Sequence, residues 1–90
     1  MYPEVPHDYE VKAARARFRA RRARSLRTRA TWALLASWYE AKLADELARQ
    51  AALQGDRRAR QAIIKRIAAH DALADAWSVL QSLNRKPVAA

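Results

Sequence analysis

An all-α fold is predicted by three features of the chain. One glycine and three prolines occur in 90 residues, alanine is the commonest residue, and apolar positions recur every three or four residues over two long stretches. So few turn formers leave little punctuation for a sheet of short strands, while alanine and arginine both favour helix. The expected architecture is an antiparallel hairpin of two long helices, preceded by an arginine-rich helix and a short extended N-terminal arm.

Residues 1–8 read as the extended arm, because Pro3 and Pro6 resist helix and restrict the residues before them. Asp8 is the expected N-cap of the first helix. Residues 9–29 then form the arginine-rich helix. The alternation ARARFR also fits the period of a strand, but neither alanine nor arginine favours one and Phe18 is the only large residue there. Wound as a helix, the segment gathers Ala13, Ala16, Ala20, Ala23 and Ala30 within an arc of about 100°, with arginine over the remainder. Ser25 and Thr28 are the interruptions before the next element. Either Thr28 or Thr31 caps a second helix, or one rod runs through with a bend near Ser25.

Residues 30–84 supply the hairpin, with its turn at residues 55–56, and residues 85–90 a tail. In the first long helix Trp32, Ala36, Tyr39, Leu43 and Leu47 share one stripe, whereas Leu34, Trp38 and Ala41 lie on another face. Two apolar faces imply a helix sandwiched between neighbours or one presented to a partner. Gly55-Asp56 carries the turn signal, since glycine suits the position past a helix end and aspartate the next cap. In the second long helix Ile63, Ile67, His70, Ala74 and Trp77 form the expected core stripe, widened by Ile64, Leu73 and Leu80.

Several classes of function are disfavoured. With no cysteine there is no disulfide, thiol nucleophile or cysteine zinc site. The longest bulky apolar run, Trp32–Ala36, is far short of the roughly 20 residues a membrane span needs. The opening MYPEVPHDYE carries three acids and resembles neither a signal nor a transit peptide, so a soluble, cytoplasmic protein is expected. The two histidines and four serines join no nucleophile, base and orienting acid. His70 is expected to be a core histidine with one hydrogen bond, its candidate acids being Asp45, Glu46 and Asp71. No catalytic residue, metal site, cofactor or small-molecule substrate is expected.

Charge is the informative signal. The net charge is +9, and residues 11–29 contribute +9 of it, against −3 from residues 1–10, −1 from 30–55 and +4 from 56–90. Residues 14–29, ARARFRARRARSLRTR, hold eight arginines and no acid. An ordinary solvated helix face mixes signs in i,i+4 pairs; here Arg15 and Arg19, and Arg17 and Arg21, repel at that spacing. A polyanion that supplies the missing counter-charge accounts for this, and the guanidinium fork suits phosphate. An alanine- and arginine-rich composition also reflects a GC-rich coding sequence, but such bias does not cluster the arginines. The candidate nucleic-acid contacts are therefore Arg15, Arg17, Arg19, Arg21, Arg22, Arg24, Arg27 and Arg29. The run resembles, in composition alone, the arginine-rich motifs of RNA-binding peptides and the basic helices of DNA-binding proteins; this implies neither a fold nor a target.

A second basic patch, Arg57, Arg58, Arg60 and Lys65, opens the last helix, where cations oppose the helix macrodipole. Trp32, Tyr39 and Trp77 are expected in the core. Leu34 and Trp38, off the main stripe, are the candidate partner surface. The sequence thus points to a small, basic, non-catalytic nucleic-acid-binding protein, a structural or regulatory subunit of a nucleoprotein complex. RNA is slightly favoured over DNA, because a groove enclosing the helix engages arginines on all sides. The alternative is a protein-interaction module, inhibitor or adaptor that docks its hairpin on a partner of a nucleic-acid-processing machine. A homodimer is compatible with either. Insertion of the basic segment into an anionic membrane is disfavoured, because Phe18 and Leu26 offer too little apolar area.

Overall fold

Helix accounts for nearly all the described residues, 6–55 and 57–85, of the computed structural model. In chain order they form α1 (Pro6–Arg22), α2 (Leu26–Leu53) and α3 (Ala59–Asn84), with no strand among the described residues. Residues 1–5 of the expected arm, the expected cap Asp56 and tail residues 86–90 lie outside the described residues.

The first helix starts earlier than expected. Pro6 to Asp8 are helical, so that part of the arm is replaced by the first turn of α1, with Asp8 inside that turn rather than capping it. Proline is tolerated there because the first turn has no backbone acceptor for its missing N–H. An aspartate in the first turn still meets the positive end of the helix dipole.

A single rod is ruled out by a break at Ala23–Ser25, and neither threonine caps α2. Ser25 is extended (φ −92°, ψ 147°), and its Oγ accepts the Thr28 N–H at 3.0 Å. Thr28 therefore sits in the first turn, and Thr31 turns its hydroxyl back onto the Arg27 carbonyl at 2.9 Å. The shorter serine reaches the orphan N–H without the crowding of a β-branched residue. Arg24 consequently lies in the connection, and Arg27 and Arg29 open α2 rather than ending α1.

Alanine forms the interior. Ala13, Ala16 and Ala20 of α1 are buried, as are Ala30, Ala36, Ser37, Ala41, Ala44 and Ala48 of α2. Among the described residues no large side chain is fully buried. Small residues let helix axes approach to the near end of the usual range, about 8 Å, so contact is gained through backbone proximity rather than large side chains. Both α1 and α3 pack on α2 and not on each other, among the described residues, giving extents of 57 × 25 × 24 Å. The two apolar faces of α2 thus meet two neighbours.

Helix α3 overturns the expected core stripe. Ala59, Ala62, Ala69, Leu73, Ala76, Leu80 and Leu83 are its partly buried residues, whereas Ile63, Ile67, His70, Ala74 and Trp77 are exposed. Ala62, Ala69 and Ala76 recur every seven residues and allow close approach to α2; the bulkier set one position on would hold the backbones apart. Trp77, expected in the core, is 51% exposed. Partners descend α2 as they ascend α3: Leu43 and Leu47 share a cavity with Arg58 and Ala62, Asp45 bonds Arg66 and His70, and Leu34 and Trp38 face Leu73 and Trp77. At the connection Gly55 takes φ +62°, the left-handed conformation that ends a helix. Arg58 stands at the N-cap of α3 without a side-chain capping bond.

Candidate nucleic-acid interface

The buried alanine face fixes how α1 presents its arginines. With Ala13, Ala16 and Ala20 turned onto α2, the arginines are distributed over the flanks and outer side of α1. Arg15, Arg19, Arg21, Arg22, Arg24, Arg27 and Arg29 are all exposed. The connection at Ala23–Ser25 brings α1 back along α2, so the run folds into one end of the molecule.

The eight guanidinium groups do not share one role. Arg17 is held by the fold: Nε and Nη2 donate to Glu40 Oε1 and Oε2 at 2.9 and 3.0 Å, and Nη2 reaches Ser37 Oγ at 3.3 Å. The hydrogen bond to Glu40 raises the Arg17 pKa, against a smaller opposing effect of burial. Arg17, expected among the phosphate contacts, is thereby a tie between α1 and α2. Glu40 is the only acid between Glu10 and Asp45; that isolation was the available sequence signal for the pairing.

Three more arginines have intramolecular contacts that leave donors over. Arg19 lies 4.8 Å from the centroid of Trp32, and Arg22 4.5 Å from that of Phe18. A guanidinium stacked on a ring still directs its N–H groups outward in its own plane. Arg29 Nη2 donates to the Ala23 carbonyl at 3.2 Å, closing the connection. The side chains of Arg15, Arg21, Arg24 and Arg27 have no intramolecular partner among the described residues. Arg21 and Arg29 also border, with Arg17, Ala20 and Ala33, an open hollow of about 520 Å³ between α1 and α2.

The second basic patch is exposed but remote. Arg57, Arg58, Arg60 and Lys65 lie at the far end of α2, whose 28 residues span about 42 Å. The first turn of α3 contains no acid. Arg58 and Lys65 line a cavity of about 290 Å³ with Leu43 and Leu47.

Leu34 and Trp38 are brought together in an open, almost wholly apolar groove of about 490 Å³, completed by Thr31, Leu35, Leu73 and Trp77. Trp38 is 44% exposed, with Lys42 Nζ 5.2 Å from its ring centroid and Tyr39 edge-on at 5.3 Å. His70 is exposed rather than in the core, its Nε2 2.7 Å from Asp45 Oδ1; Arg66 Nε donates to the same oxygen at 2.8 Å. Partial burial raises the Asp45 pKa, but the hydrogen bonds from His70 and Arg66 outweigh it and leave the carboxyl below its ordinary range. No group of three or more metal-ligating side chains is assembled among the described residues, and no helix there is long and apolar enough to cross a membrane. The chain matches none of the protein families, curated proteins or solved structures with which it was compared.

Proposed function

We propose that the chain is a non-catalytic nucleic-acid-binding protein that grips phosphates with the arginines of α1 and the start of α2. The observation that carries this reading is the group of four arginines, Arg15, Arg21, Arg24 and Arg27, exposed and with guanidinium groups that have no intramolecular partner among the described residues. Four like charges held at one end of a small protein raise its potential there and steer a polyanion to it. Arg19, Arg22 and Arg29 add outward donors. The burial of the alanine face against α2 removes the reason to favour RNA, because no groove can enclose a helix covered on one side. The reading is of phosphate contact, common to RNA and DNA.

The test is binding of the whole protein to duplex DNA and to structured RNA, with Arg15, Arg21, Arg24 and Arg27 replaced together by alanine. Affinity should fall by at least tenfold while helical content is kept. Unchanged affinity for both polymers would overturn the reading.

A second reading is favoured by the groove at Leu34 and Trp38: a protein-interaction module whose apolar cleft receives a side chain of a partner in a nucleic-acid-processing machine. Under it, Trp38→Ala abolishes a protein contact that the quadruple arginine variant keeps.

A further inference from the structure

Phe18 stands where neither core packing nor helix propensity calls for a phenylalanine. At 100° per residue it lies about 170° round α1 from the centre of the buried arc of Ala13, Ala16 and Ala20. It is 54% exposed, and phenylalanine forms helix less readily than the alanine and arginine around it. Its neighbours three and four residues away on the helix surface are Ala14, Arg15, Arg21 and Arg22, all of them exposed. The one contact its ring makes among the described residues is with the Arg22 guanidinium, 4.5 Å from the centroid. Toward the N-terminus, the direction in which helical side chains lean, Ala14 offers only a methyl group and leaves room beside the ring. The outer side of α1 thus presents one aromatic ring in a frame of three arginines.

We propose that Phe18 is a stacking platform for an unpaired base, so that the protein prefers single-stranded or looped nucleic acid to a closed duplex. This rests on phosphate binding by the surrounding arginines and adds a preference for exposed bases. A ligand that suits both the ring and its frame carries a flat π-face close to negative charge, as an unpaired nucleotide does. In a closed duplex the base faces are stacked on one another, out of reach of a ring on a helix surface. The guanidinium over Phe18 keeps its N–H groups in its own plane for a phosphate, so ring and counter-charge act on the same stretch of strand. Arg21, three residues on from Phe18, also borders the hollow between α1 and α2 together with Arg29. Phosphates therefore have a cationic track beside the ring, the combination of charged groove and aromatic platform that holds single strands. A ring among cations also suits an anionic membrane, but a single ring contributes too little apolar area there.

Two single strands of equal length separate the base from the phosphate: oligothymidylate, and an abasic strand with the same number of phosphates. Wild type should prefer the oligothymidylate by roughly five- to 150-fold, the range that stacking of one base supplies. Stacking is not ion pairing, so that ratio should persist as salt weakens both complexes. Phe18→Ala and Phe18→Leu should bring the ratio close to one with helical circular dichroism kept, whereas Phe18→Trp should retain it. Leucine keeps apolar bulk and loses the π-face, which separates stacking from general apolar contact. Equal affinity of the wild type for the two strands would overturn the proposal and leave phosphate binding standing; no binding to either strand would overturn both. A preference that survives Phe18→Ala or Phe18→Leu would also overturn it. So would equal strand affinities beside Phe18-dependent binding to phosphatidylglycerol vesicles.

Discussion

Arg17 and its neighbours divide the arginines into those that hold the fold and those available to a ligand. Replacing Arg17 by alanine should lower stability by at most about 1 kcal/mol, because both partners in the Arg17–Glu40 pair remain 38% exposed and water screens them. Urea titration should register that loss, and Glu40→Gln should reproduce it. Arg15→Ala should leave stability unchanged and act on nucleic-acid binding alone. Asp45 makes a different prediction, in pH. Its depressed pKa means that its link to α3 contributes stability above the carboxyl's unfolded pKa and loses it as pH falls through the lower, folded value. Wild type and Asp45→Asn should therefore differ in urea midpoint near neutral pH and converge below the ordinary aspartate range. A difference that persisted there would remove Asp45 ionisation as its cause.

The helices show where sequence patterning works and where it fails. In α1 the alanine arc was legible, because Ala13, Ala16 and Ala20 are the only residues on that side without charge or bulk. In α3 two adjacent seams share the same period, and hydrophobicity favours the one with isoleucine and tryptophan. Packing favours the other, where alanine every seventh residue admits the backbone of α2. The break between α1 and α2 was legible as a region but not as a residue, since serine and both threonines are competent caps. Their order of use depends on where the backbone becomes extended, which is fixed by the return of α1 onto α2. Ser25→Ala should therefore destabilise the protein by about 1 kcal/mol, the usual cost of a lost cap. Thr28→Ala should have a smaller effect, since it keeps the capped backbone N–H and loses only the exposed bond that Ser25 Oγ donates to Thr28 Oγ1 at 2.8 Å. Thermal denaturation of the two variants checks the order.

At the scale of the molecule, the concentration of charge was legible from residues 11–29, but the division of labour within it was not. Tertiary structure commits Arg17 to Glu40, separates Arg57, Arg58 and Arg60 from the main group by the length of α2, and covers one side of the helix. The remaining arginines stay exposed on the flanks and outer side of α1 and at the start of α2, at one end of an elongated body whose far end carries the smaller basic patch. The two patches are too far apart for one short site, so the first should dominate the affinity for a short oligonucleotide. The most direct test is the salt dependence of binding to a short duplex. Wild type should show a log–log slope of about −0.9 for each phosphate neutralised, and each of Arg15, Arg21, Arg24 and Arg27 replaced by alanine should flatten it by about one such increment. Arg17→Ala should leave the slope where it was. A slope near zero in the wild type, or one that the four replacements leave unchanged, would contradict phosphate recognition by this surface.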